Sequence, residues 1–304
     1  MVGTATLLPI SEIWASTEKQ RKFRLCLNPG IIGVKADQKE ALRMADQYGY
    51  EAIISMPKQL MQWSEKELNA FNKERLKKNI SWGSTNLPIE FRKDEETFKK
   101  GLADLPKYAE VLQKAGSTRM NTWILPMHPN LSYTPNMKQH ADRLGQCARI
   151  LDDYEITLGL EYVSQKTTIA TQRFPFIRTM SETAELIENI NSPNVGYVLD
   201  AIHWYCAEDT ADDIKKLRPE QIVTVDLNDG KAGLTRDTLL NLERELPLAT
   251  GIIDLKPFVQ ALVDIGYDGP VRTEPFNKAL NEMDDEKALE VNMKSLQKVL
   301  SLLK

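Results

Sequence analysis

Asn194-Val-Gly-Tyr-Val-Leu-Asp-Ala-Ile-His-Trp-Tyr205 decides how this chain is read. Val195 to Leu199 is a continuous apolar run that stops on Asp200, with Pro193 just before it. Such a run predicts a strand covered on both faces, the environment of a parallel sheet. A carboxylate at the carboxyl end of a buried strand is costly without a partner. His203 follows three residues later, and Asp and His are both common ligands of divalent metals.

The same pattern recurs outward from this stretch. Strands are expected at 23–28, 51–56, 80–85, 119–125, 156–163, 222–227 and 271–274. Helices are expected between them, at 37–48, 64–79, 94–115, 135–154, about 177–190, 210–217 and 255–265, with a last one at 286–302. Ser64 with Glu67 has capping-box spacing, Gly49 is placed to end its helix, and Pro106 is expected to kink or interrupt the helix 94–115. Eight strands alternating with helices, without a break in composition, predict one (β/α)₈ barrel over 22–304 behind an irregular lead-in, 1–21. A doubly wound open sheet is the alternative, weakened because no GxGxxG or Walker motif follows any strand.

Composition removes several function classes. The 304 residues are 42% hydrophobic, enough for a large core. A formal charge of −4 and no basic cluster interleaved with aromatics argue against a nucleic-acid partner. No apolar stretch reaches the ~20 residues of a membrane span, and the N-terminus lacks the layout of an intact signal peptide. Cys26, Cys147 and Cys206 stand far apart and are expected as reduced core thiols. The expected setting is cytoplasmic, with a small-molecule partner and a homo-oligomer left open.

In a (β/α)₈ barrel the chemistry gathers at the C-terminal strand ends. Glu161, Asp200, Asp226 and Glu274 all fall there, on four successive strands. Like charges brought together raise one another's proton affinity, and a divalent cation is the simplest counter-charge. An all-oxygen set favours Mn²⁺ or Mg²⁺ over zinc, with Co²⁺ and Zn²⁺ as further alternatives. Each carboxylate taken singly is also explained as a solvated or ion-paired loop residue. His203 reads equally as a packed histidine or a member of the site. Lys166, Trp123, Trp204 and Arg272 are the candidate substrate contacts, and Phe174-Pro175-Phe176 offers further aromatic faces. Ordinary packing or solvation accounts for these as well.

Leu158-Gly-Leu-Glu-Tyr-Val163, Gly196-Tyr-Val-Leu-Asp-Ala-Ile-His203, Val225-Asp-Leu-Asn-Asp229 and Arg272-Thr-Glu-Pro-Phe276 resemble the sugar phosphate isomerase/epimerase superfamily. This is the xylose isomerase-like barrel group that includes ketose 3-epimerases and inosose dehydratase and isomerase. The resemblance runs from about Phe23 to the end of the chain. It implies a Mn²⁺-type site formed by Glu161, Asp200, the position of Asp226, and Glu274. It also implies that Glu161 and Glu274 act as acid and base on opposite faces of one carbon, and that His203 contacts substrate or handles a proton. The family usually has His where this chain has Asp226. Either Asp226 ligates in its place, or the metal is weakened and the chain is a sugar-binding barrel. The implied activity is isomerisation or epimerisation of a ketose or keto-sugar, with dehydration of a keto-sugar or inosose as the alternative. An endonuclease IV-type activity needs many His, and the chain has three.

Overall fold

The computed structural model describes residues 21–303; of the expected lead-in, all but residue 21 lies outside them. The barrel strands are β1 (Arg24–Leu27), β2 (Ala52–Ile53), β3 in two pieces (Ser81–Trp82 and Thr85–Asn86), β4 (Arg119–Ile124), β5 (Thr157–Tyr162), β6 (Val195–Asp200), β7 (Ile222–Leu227) and β8 (Pro270–Thr273). The principal helices are α1 (Gln38–Tyr48), α2 (Glu65–Lys77), α3 (Glu95–Ala115), α4 (Tyr133–Asp152), α5 (Met180–Ile190), α6 (Ala201–Ala207), α7 (Ala211–Lys215), α8 (Leu255–Asp264) and α9 (Asp285–Leu300).

The nine paired segments form one parallel sheet whose two outermost members are the pieces of β3. Ser81–Trp82 pairs with β2 and Thr85–Asn86 pairs with β4, so the chain itself closes the ring at Gly83-Ser84. That interruption is why 80–85 reads as a weak strand. The eight-stranded barrel is therefore closed, with helices around it.

Local chemistry accounts for the element ends. Asp37 and Ser64 both make capping boxes, and Gly49 ends α1 at φ 80°. The helix α3 continues through Pro106, which departs from an interruption there; its flanking apolar residues, Leu105 and Ala109, are fully buried and hold it against the core. The helix α6 has no counterpart in the expected elements. Asp200 caps it, accepting from the backbone N–H groups of Ile202 and His203, so the strand-end carboxylate also starts a helix.

The barrel interior is packed closely under the strand ends. A Cβ built on Gly159 would lie 2.8 Å from Val223 Cβ and 2.9 Å from Val198 Cγ2. Gly159→Ala is expected to lower stability by about 1–3 kcal/mol through overpacking, measurable as a lower midpoint in urea.

His140 on α4 is buried against Phe91 and Phe176, with Nδ1 2.9 Å from the carbonyl of Asn136 and Nε2 unpaired. Burial pushes it down to about 4 from 6.5; the bond to Asn136 opposes this, while Arg92, His128 and Arg143 add to it. The unfolded chain therefore binds this proton first as pH falls, and stability is lost from about 6.5 down to about 4. His140→Leu is expected to narrow the difference in Tm between pH 7 and pH 5. An unchanged difference would remove His140 as a source of acid sensitivity.

Candidate active site

Register brings the acidic residues together. Asp200 on β6 pairs with Asp226 on β7, and Asp226 pairs with Arg272 on β8. Glu161 on β5 pairs with Val198, two residues before Asp200 and on the same face. Glu274 lies two residues beyond Arg272 and so continues that face; its N–H donates to the carbonyl of Leu227. One carboxylate oxygen from each of Glu161, Asp200, Asp226 and Glu274 lies within 4.8 Å of the others. Glu161, Asp200 and His203 form an overlapping set at the same spacing.

Two guanidinium groups share this centre. Arg272 clasps Asp226 with a fork, Nε to Oδ1 at 2.5 Å and Nη2 to Oδ2 at 3.0 Å. Arg244 reaches in from the loop 228–254, its Nη1 2.8 Å from Asp200 Oδ2 and 2.9 Å from Glu274 Oε2. Its own geometry is fixed by Asn241, which accepts from Nε and from Nη2, and by Phe276, whose ring lies 4.7 Å away. Asn228 Nδ2 lies 3.1 Å from both oxygens of Asp200, while its own Oδ1 is buried and without a donor.

Burial would raise the Asp200 carboxyl, but Arg244, His203 and Asn228 outweigh it and hold Asp200 below the usual carboxylate range. Burial raises Glu161 well above that range, with Asp200 and Asp226 adding to it. Burial does the same for Glu274, helped by Glu161 and Asp226. Both carboxyls therefore hold a proton more tightly than an ordinary carboxylate does, a perturbation that clusters at functional sites. Burial pushes His203 down to about 3, so its imidazole is neutral. The Ser164 N–H lies 3.3 Å from His203 Nδ1, and Nε2 sits between Arg244 Nη2 at 3.3 Å and Glu161 Oε1 at 3.4 Å, so the ring bridges the arginine and the Glu161 carboxyl.

The donor set fits a divalent cation. Oxygen ligands at ~2.0–2.6 Å place opposite donors at about the observed spread. The unsatisfied Asn228 carbonyl oxygen supplies a further free acceptor beside Asp200. Carboxylates suit hard cations, and His203 widens the choice to zinc.

The other candidates are distributed differently. Trp123 pairs in register with Glu161, is 42% exposed, and has the Arg92 guanidinium stacked 4.3 Å from its ring. Lys166 is exposed and bound to Asp237 at 2.7 Å. Trp204 is buried with its ring against Phe258 of α8. Arg272 faces Asp226. Phe176 packs at a tilt against His140 and Tyr133. Arg244 and Asn228 are the residues of the centre that the sequence reading missed, as it missed Arg92 beside Trp123. The signal for Arg244 was present: 228–254 is far longer than an ordinary βα loop, and such loops on the C-terminal face carry function.

Comparison with known proteins agrees with this architecture. The family model of the xylose isomerase-like TIM barrel matches residues 42–299. An inosose isomerase of Bacillus velezensis is 19% identical over 284 residues, covering 92% of this chain and 98% of that protein. The structure of a xylose isomerase domain protein from Alicyclobacillus acidocaldarius superposes with a TM-score of 0.78 at 26% identity, covering 92% of this chain and 99% of the other. The IOLI protein, solved with a bound zinc atom, superposes with a TM-score of 0.76 at 21% identity, covering 93% and 99%. Ketose 3-epimerases and a dehydratase share the fold at lower identity. Closed parallel barrel, carboxylates at its strand ends and a family match over most of the chain lead to one assignment: the chain belongs to the xylose isomerase-like TIM barrel family.

Proposed function

We propose that this protein is a metal-dependent isomerase or epimerase that moves a proton on the carbon beside a carbonyl, in a ketose, keto-sugar or inosose. The observation that carries this reading is the facing pair Glu161 and Glu274. Glu161 lies near the end of β5 and Glu274 just past the end of β8, separated around the ring by the strands that bear Asp200 and Asp226, with carboxylate oxygens within 4.8 Å. Inososes enter the substrate class through the similarity to the inosose isomerases.

A C–H next to a carbonyl is weakly acidic, so the enzyme must stabilise the enediolate and supply a base. Glu161 would take the proton from one face and Glu274 would return one to the other face. His203 Nε2, 3.4 Å from Glu161 Oε1, would hold that carboxyl in position. Trp123, open at the barrel mouth, would pack on the C–H face of a sugar. A divalent metal, Mn²⁺ first, would when bound supply Lewis-acid stabilisation of the developing oxyanion, held by carboxylates of this centre.

Solvent deuterium incorporation tests this. Metal-supplied protein is incubated in D₂O with a panel of inososes and ketoses, and label at the carbon beside the carbonyl is followed by NMR. Exchange is expected in the wild type, and Glu161→Gln and Glu274→Gln are each expected to reduce it by about 10²–10⁴-fold. Exchange that survives in both variants would sink the assignment of the pair. Loss of the β-hydroxyl from the substrate as water, giving a product lighter by one water, would instead place the same site in dehydratase chemistry.

A further inference from the structure

We propose that Arg244 is an internal cation that occupies the carboxylate centre in the metal-free protein, and that Arg272 withdraws Asp226 from the ligand set. The metal is then held by Glu161, Asp200 and Glu274 and enters by displacing Arg244. This rests on the reading above that a divalent metal binds here.

The two arginines are built differently. Arg272 and Asp226 are register partners on neighbouring strands, and both Asp226 oxygens are taken by the one guanidinium. Separating them would leave a buried guanidinium and a buried carboxylate each without its counter-charge. Asp226 therefore stands at the family's histidine position as half of a neutral pair, not as an added negative ligand.

Arg244 is held only by a loop. Asp200 Oδ1 already accepts from the N–H groups of Ile202 and His203 and from Asn228. The freer direction of Asp200 is at Oδ2, where Arg244 Nη1 sits. A dication approaching that oxygen meets a buried positive charge at close range, so the two cations exclude one another there. The side chain has somewhere to go: a cavity of about 470 Å³ is bounded by Arg244, Phe276, Lys231 and Lys278. The loop ends need not move. Asp229 accepts the N–H groups of Gly230, Thr250, Gly251 and Ile253 and fastens both ends together.

The test uses calorimetric titration with Mn²⁺ and thermal unfolding in EDTA, on wild type, Arg244→Met and the double variant Asp226→Asn/Arg272→Met. The double variant removes both halves of the pair, so neither charge is left stranded. In EDTA, Arg244→Met is expected to melt below wild type and to recover with Mn²⁺. Its Mn²⁺ affinity is expected to rise at least about tenfold, one unit in log Kd. The double variant is expected to keep Mn²⁺ affinity within about threefold of wild type, because Asp226 is not a ligand. An unchanged affinity in Arg244→Met overturns the competition, and loss of Mn²⁺ binding in the double variant overturns the three-carboxylate set. If neither the wild type nor Arg244→Met takes metal, the proposal falls together with metal dependence. If the affinities change as expected but metal-loaded wild type exchanges no deuterium, the functional reading fails and this one stands.

Discussion

Parallel strand register is the constraint on which the rest of this site depends. Once β6, β7 and β8 pair as they do, Asp200, Asp226 and Arg272 must lie side by side on the inner face, and Glu161 and Glu274 close the same group from either flank. A low-dielectric barrel interior does not tolerate that much uncompensated negative charge. Everything around the group answers the problem: two guanidinium groups, the Asn228 amide, the α6 N-terminus and a neutral imidazole. The ring fixes where the charges sit, and the loops decide how they are balanced.

That division sets what the sequence made legible. Buried parallel strands are continuous apolar runs, and β7 was delimited at 222–227 as observed. The four acidic residues were legible because each falls at or near the carboxyl end of an expected strand, and their convergence followed from barrel geometry. The bend that splits β3 was harder to see, since Gly83-Ser84 gives only a faint break in a short stretch. The helix α6 was missed because its start is capped by Asp200, a residue already read as a site carboxylate. Arg244 was missed because nothing local marks which cation of a long loop turns inward; its partners are Asn241 nearby and Asp200 and Glu274 far away in sequence.

The same limit explains the side-chain placements. Lys166 follows β5 closely enough to reach the mouth, but Asp237 of the long loop takes it at the surface. Trp204 is on α6, whose outer face packs on α8, so its ring joins the layer between helix and helix. Trp123 differs because it alternates in phase with Glu161 and stands at the open end of β4. Proximity in sequence to a strand end is therefore a weaker guide than phase along the strand.

The Asp229 staple has an evolutionary consequence. One carboxylate gathers amides from both ends of the loop, and a backbone bridge to Glu245 continues the clasp. The exposed part of the span, 231–238, hangs from that clasp, while Arg244 and Leu239 turn inward and tie the rest of the loop to the barrel. Changes of length or residue in the exposed part leave the strand register beneath as it is. A lineage carrying this clasp can redraw the rim of its pocket, and with it the molecules it admits, without renegotiating the fold beneath.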